Sequence, residues 1–341
     1  MDAGILLMLP SLIEQGLLKT KELYTIPDKH YYGIESVILT LAYMALGRIK
    51  NPEQLKQCKP GEIGRIIGLD RIPEVRCLRA KIKILTEQKQ AQALNNLLIN
   101  KWYDEDKDKE AQFLYVDGHQ RIYYGSKAKL PKKYISRQKL YLSATTEYWV
   151  NDAQGMPVMM VIGELSEKLQ GAIEHYIIPQ MLQTHLLKTI DPNNLPEEPQ
   201  CTFIFDREAY EPAFFQRLWN DYRISIITYR KNVKDIWDEN SFKSYEIKLS
   251  DQIVNMHLSE SKITLSGCEF REVRKLSHNS HQTSIVTTHP NISTETVAGR
   301  MFARWSQENF FKYLIADYDF DKMIQFGIQE LDPNKIVVNP L

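Results

Sequence analysis

Between residues 112 and 229, short apolar runs and helical segments follow one another in an order that limits the fold more than any other feature of the chain. Runs at 112–116, 121–125, 139–150 and 156–163 have strand composition, and 151-NDAQG-155 reads as a hairpin turn between the last two. An amphipathic stretch at 165–187 predicts a helix, kinked at Pro179. Then come a compact apolar strand, 201-CTFIF-205, a helix opened by Pro212 and a closing strand, 224-ISIITY-229. Strands first, then strands alternating with helices, predict a mixed sheet with helices packed on it.

The flanks differ in texture. Apolar residues recur at helical spacing in 5-ILLMLPSLIEQGLL-18, in 36-SVILTLAYMALG-47 and along 75–103, so residues 1–109 form a helical N-terminal region. Within it, 59–82 is rich in bases around short apolar steps and reads equally as a helix-turn-helix-like DNA contact or as a helical linker. The run 104-DEDKDKE-110 marks a boundary, and 110–234 carries the sheet pattern just described. Residues 235–288 form a β-rich insertion, expected as a lobe of its own. Residues 289–325 resume the core with one long helix at 294–316, and 326–341 are a tail. The stretch 36–47 is too short to cross a bilayer, so no membrane partner is expected. Four scattered cysteines without metal-site spacing fit a reducing cytoplasm.

Lys plus Arg and Asp plus Glu both number 43, so the whole chain shows no basicity. Its distribution is uneven. From Gly118 to Thr146 there is no acid but seven bases: Arg121, Lys127, Lys129, Lys132, Lys133, Arg137 and Lys139. Tyr123, Tyr124, Tyr134 and Tyr141 are interleaved with them. Such a strip is either a phosphate contact or a solvated face.

Three acids stand out. The strand 113-FLYV-116 runs into Asp117, and 203-FIF-205 runs into Asp206. Side by side, these strands would bring both carboxylates to one sheet edge, where repulsion raises a pKa unless a divalent cation binds. Each has a local alternative: Asp117-Gly118 is a hairpin dipeptide, and Asp206 suits a helix cap. Glu308 is the third. Arg304 and Lys312 lie four residues to either side, as in a surface ion-pair ladder. Yet 301-MFARW-305 and 310-FFKYL-314 make its helix apolar on most faces, and an acid on a buried helix needs a partner. His119 reads either as a hydrogen-bonded structural histidine or as a phosphate contact.

The set 115-YVDGH-119, 205-FDREAY-210 and 304-RWSQENFFKY-313 resembles the DDE transposases of bacterial insertion sequences, in particular those with a β-rich insertion before the catalytic Glu. The resemblance covers about residues 110 to 325 and, loosely, the helical first third. It implies an α/β fold with an RNase H-like mixed sheet and flanking helices. It also implies that Asp117, Asp206 and Glu308 are catalytic and hold two Mg²⁺ ions, with Mn²⁺ as a substitute. The implied reaction is cleavage and strand transfer on double-stranded DNA, at transposon ends and target, by a homodimer in the bacterial cytoplasm at the nucleoid. Arg207, Arg230, Lys231, Arg304 and Lys312 join Arg121, Lys127, Lys129, Lys132 and Lys133 as candidates for holding DNA. Trp237 reads first as a core tryptophan and second as a candidate for stacking on an unpaired base, and Glu208 is expected to stand outside the chemistry. The group's signature is Tyr, two residues, Arg, three residues, Glu, six residues, Lys. Arg304 and Glu308 match it, whereas Met301 and Ile315 replace the Tyr and Lys. Relatives commonly carry more sequence at both ends, which implies a shorter branch or a truncated copy. Two other readings stay open: a metal-dependent nuclease without strand transfer, and a DNA-binding protein that has lost catalysis.

Overall fold

Gln112–Tyr124 forms one unbroken strand, β1, in the computed structural model, which describes residues 3–27, 30–105, 112–249 and 252–324. The expected turn at Asp117-Gly118 is absent: Asp117 pairs with Trp149 and Gly118 with Tyr148 of an antiparallel neighbour. Gly118 serves close approach instead, since a Cβ there would lie 3.2 Å from the Tyr148 ring. The remaining strands are β2 (Lys132–Ile135), β3 (Leu140–Asn151), β4 (Pro157–Gly163), β5 (Cys201–Phe205), β6 (Ile224–Tyr229), β7 (Lys243–Leu249), β8 (Gln252–Leu265), β9 (Cys268–Leu276), β10 (Gln282–Thr287) and β11 (Lys322–Ile324).

Among the described residues these strands make a single mixed sheet in an α/β fold, in the order β2-β3-β1-β5-β6-β10-β9-β8-β7, with β4 on β3 and β11 on β1. β1, β5 and β6 run parallel, and the pairings of β3 with β1, β2 and β4 are antiparallel. The segment 235–288 is β-rich as expected but is not a lobe of its own. β10 pairs antiparallel with β6, and β9, β8 and β7 extend the same sheet. The two short strands expected at 253–259 and 262–265 are one, β8.

β5 is buried along its whole length, as a largely apolar strand in the middle of a covered sheet is, with its one polar side chain, Thr202, hydrogen-bonded to Ser225 at 2.7 Å. Burial pushes the Cys201 thiol up to about 12, so it is a packing residue. The helix expected at 165–187 contains a π-helical segment, Ile173–Ile177, directly before the turn that carries Pro179. Widening the ladder there accommodates a residue that has no N–H to donate. The helix expected at 294–316 is two helices, Thr294–Phe302 and Trp305–Tyr318, with the break at Ala303 and Arg304.

The chain divides into two compact units. One gathers 1–110 with 180–188 and 312–319, and the other gathers 111–179, 189–311 and 320–341. Over its described residues the first is helical, with a core that includes Val37, Ile72 and Leu78. In the basic stretch 59–82, the helix Pro60–Ile66 and the start of Val75–Glu87 are joined by a loop so close that a Cβ on Gly64 would lie 2.4 Å from the Arg71 backbone. The charge run expected as a boundary falls largely on 106–111 and the tail on 325–341, both outside the described residues. No described helix is long and apolar enough to cross a membrane.

Candidate functional site

Alternation along β1 sends Tyr115, Asp117 and His119 to the same face of the sheet. Both neighbours of Asp117 on that face are fixed. Tyr115 is fully buried, and its hydroxyl donates to the Arg300 carbonyl at 2.9 Å. His119 is buried between the rings of Phe311 and Phe320, with centroids 5.0 and 5.5 Å away. Burial drives its pKa down to about 4, so it is a neutral packing histidine and the phosphate role considered for it loses support. Asp117 is thus held toward the helices that follow residue 293.

The register of β1 on β5 brings in Asp206. The last paired residues are Tyr115 and Ile204, and two steps further along both strands stand Asp117 and Asp206. The aspartates therefore occupy equivalent levels, with Asp206 just beyond the carboxyl end of β5. β1 pairs with β5 up to Tyr115 and with β11 from Ile122, so the sheet opens where Asp117 lies. A crevice at the carboxyl ends of parallel strands is a usual place for a ligand site in such sheets.

The two aspartates share one arrangement. Oδ1 of Asp117 accepts from the Gly118 N–H at 2.9 Å, and Oδ1 of Asp206 accepts from the Arg207 N–H at 2.6 Å, capping a short 3-10 turn. In each, Oδ2 is turned toward the Arg304 guanidinium, 3.9 Å away in both cases. The same guanidinium meets Glu308 Oε1 at 2.7 Å. Sequence reasoning paired Asp117 with Asp206 and left Glu308 between a ladder and a site. The ladder's Arg304–Glu308 rung exists, and its arginine joins Glu308 to both aspartates.

Glu308 owes its place to a neighbour that sequence reasoning missed. Gln307, almost fully buried, donates through Nε2 to the backbone carbonyls of Tyr115 (3.2 Å) and Trp149 (3.3 Å) and to Asn151 Oδ1 (2.8 Å). It pins the start of helix Trp305–Tyr318 across β1 and β3, two residues from Asp117. A buried glutamine on an apolar helix has to find such partners, which is the signal that was available.

The electrostatics follow from this packing. Burial is the main cause that raises the Asp117 pKa to about 6; Arg304 and the Gly118 N–H oppose it, and Glu208 and Asp206 add to it. Glu208, expected as a bystander, is thus a fourth negative charge near the cluster. Burial also raises the Tyr229 hydroxyl, against Arg304 and together with Asp206 and Glu308, which sets Tyr229 beside the same group. Among the described residues no three or more His, Cys, Asp or Glu side chains stand close enough to hold a metal ion as they are. Arg304 lies among the acids instead.

The DNA-contact candidates separate into groups. Arg304 is in the acid cluster. Arg207 is exposed beside it, with its guanidinium 5.7 Å from the Tyr229 ring. Arg121 is engaged by the buried Glu147 at 2.8 Å and lies over Phe320, so it holds β1 to β3 and does not head a free strip. Arg230 is likewise committed to Glu272 (2.7 Å) and Asp235 (3.6 Å), in a buried network completed by Arg274. Lys231 is half-buried; Lys127, Lys129 and Lys132 are exposed, and Lys133 is half-buried. Lys312 is exposed on the helix that carries Glu308. Trp237 is covered by Arg274, 4.2 Å from its ring, so stacking on a base would require that contact to break.

Residues 1–341 match the family model Transposase_29, described as Transposase protein. The chain belongs to this transposase family. No curated protein matches it. A transposase acts on DNA, and in this one the opening in the sheet, the three acids and Arg304 fall in one compact unit with the exposed lysines of 127–133.

Proposed function

We propose that this transposase is of the DDE type and that it cuts and rejoins DNA phosphodiesters at Asp117, Asp206 and Glu308. The observation that carries the reading is the convergence of those three carboxylates on the Arg304 guanidinium, from β1, from the end of β5 and from a helix clamped across β1 and β3. The strand order supports an RNase H-like core: three successive antiparallel strands, β4-β3-β1, followed by the parallel strands β5 and β6 reached through helices.

The donor set suits Mg²⁺ or Mn²⁺, since all three side chains offer hard oxygens and the half-buried Asp117 carboxylate lacks full compensation. Asp117, Asp206 and Glu308 would hold the ions once the Arg304 guanidinium withdraws. Bound there, a pair of ions would activate the attacking oxygen and stabilise the leaving one. The chain's own residues prepare that exchange. The Gly118 and Arg207 N–H groups fix one oxygen of each aspartate and leave the other oriented outward. Arg304 offsets part of the acids' charge meanwhile and, when released, has a planar fork suited to a phosphate.

The test is cleavage of DNA carrying the ends of the chain's own element. Asp117→Asn, Asp206→Asn and Glu308→Gln should each lower Mg²⁺- or Mn²⁺-dependent cutting by orders of magnitude while DNA binding persists. Joining of the cut ends to target DNA separates a transposase from a nuclease. Wild-type protein that binds these ends and never cuts them with either ion would end the DDE reading in favour of a non-catalytic DNA-binding protein.

A further inference from the structure

Between β1 and β3 the chain forms an arm that the acid cluster does not use. β2 pairs antiparallel with the first residues of β3, with Tyr134 directly opposite Tyr141 and Lys132 opposite Ser143. Residues facing each other across the pair share a face, so the arm has two different sides. One side carries Ile135 and Leu142, which pack with Ile122, Ala144 and Leu165. The other presents Lys132, Tyr134 and Tyr141 to solvent. Tyr141 is 72% exposed and Tyr134 46%, with ring centroids 5.5 Å apart. Rings left this open gain little from burial, and a cross-strand pair alone adds little to the fold's stability.

The approach to the arm is also built. The Tyr123 hydroxyl accepts the N–H groups of Lys127 and Ala128, both at 3.1 Å, and the Ser143 hydroxyl donates to the Leu130 carbonyl at 3.2 Å. Tyr124 and Gln138 exchange hydrogen bonds at 3.0 and 2.8 Å. The loop carrying Lys127 and Lys129 is thereby held against the strand that carries Asp117. From Gly118 to Thr146 the sequence has seven Lys and Arg and no Asp or Glu.

We propose that this arm is a stacking platform for unpaired DNA: a single-stranded extension at a DNA end lays a base on the Tyr134 and Tyr141 rings while the neighbouring lysines hold its phosphates. Two open rings, tilted by 58° to one another so that one can take a base on its face while the other closes on its edge, in a segment with bases and no acid, meet the requirements for single-strand binding without sequence readout, an aromatic face for the base and cations for the backbone. A blunt duplex offers the arm only phosphates. The proposal rests on the reading of the chain as a DNA-processing enzyme and adds the class of DNA end it holds.

The experiment uses the full chain and two probes of the same duplex, one blunt and one with a single-stranded extension of about 6 nucleotides containing 2-aminopurine. Wild type should bind the extended probe about 10-fold or more tightly than the blunt one and quench the 2-aminopurine on stacking. The double variant Tyr134→Phe/Tyr141→Phe should keep both properties. Tyr134→Thr/Tyr141→Thr, which keeps β-branched strand residues in place of the rings, should lose the quenching and that preference while blunt-duplex affinity stays within about 3-fold. Equal wild-type affinity for both probes, Thr variants that bind the extension like wild type, or an equal loss on both probes would overturn the platform. So would displacement of the extension by an acidic peptide as effective as unlabelled single-stranded DNA. Wild-type protein that binds neither probe at low salt would instead count against the DNA reading itself.

Discussion

Replacing Asp117 by Asn removes a carboxyl whose pKa burial has raised from its ordinary 3.8 to about 6, with Arg304 already attracting it. The folded protein therefore binds this proton more tightly than the unfolded chain does, and the ionised form destabilises the fold. At 1.36 kcal/mol for each factor of ten, the gap amounts to about 3 kcal/mol. The sign fixes the window: the cost is full above about pH 6, shrinks as pH falls through 6, and is gone below about 4. Asp117→Asn should therefore be more stable than wild type by up to about 3 kcal/mol at pH 7.5, and the two should converge near pH 4. Paired denaturant or thermal melts across pH 4 to 8 measure the difference, in which titrating groups away from the acid cluster cancel. Mg²⁺ should stabilise wild type increasingly as pH rises through 6 and leave Asp117→Asn largely unchanged. A difference that is constant from pH 4 to 8, or an Asn variant less stable at neutral pH, would refute the claim that Asp117 is a half-buried charge only partly compensated by Arg304.

Other substitutions probe what surrounds it. Gln307→Leu deprives the Tyr115 and Trp149 carbonyls and Asn151 of a shared donor, so thermal melts should show a loss of about 3 kcal/mol and cutting should fall with it. His119→Phe keeps a ring between Phe311 and Phe320 but removes a group whose pKa has dropped from 6.5 to about 4. Wild type should lose about 3 kcal/mol relative to this variant as pH falls from 6.5 to 4, the opposite slope to Asp117, visible in the same melts. Glu272→Leu leaves the cations of Arg274 and Arg230 without their buried partner and should cost about 3–5 kcal/mol in denaturant unfolding.

Much of this arrangement was legible before any coordinates. The order of strands and helices predicted the mixed sheet because apolar runs of strand length leave few other ways to bury themselves. The levels of Asp117 and Asp206 could be paired because each follows the same kind of apolar run. What escaped depended on neighbours distant in sequence. Asp117-Gly118 has the local chemistry of a turn, but eight residue pairs with β3 hold it straight, and the glycine answers the Tyr148 ring. The helix break at Ala303 and Arg304 has no Pro or Gly to announce it, yet it lets the arginine reach all three acids. The insertion's continuity with the core rests on β10 pairing with β6, a register that no local pattern encodes. Arg121 and Arg230 looked like free cations only because Glu147 and Glu272 lie 26 and 42 residues away.

One strand, β3, runs from the arm to the acids: Tyr141 lies near its start, and Trp149, eight residues on, is the cross-strand partner of Asp117. At about 3.3 Å per residue, that is a rigid spacer of roughly 26 Å, close to the rise of eight stacked base pairs at about 3.4 Å each. Because backbone pairing with β2 from Leu140 to Ser143 and with β1 from Ala144 to Asn151 fixes it, this interval cannot flex like a loop. DNA gripped on the arm and cut at the acids would be measured out by the protein, and the place of the cut would be set by counting residues in a strand.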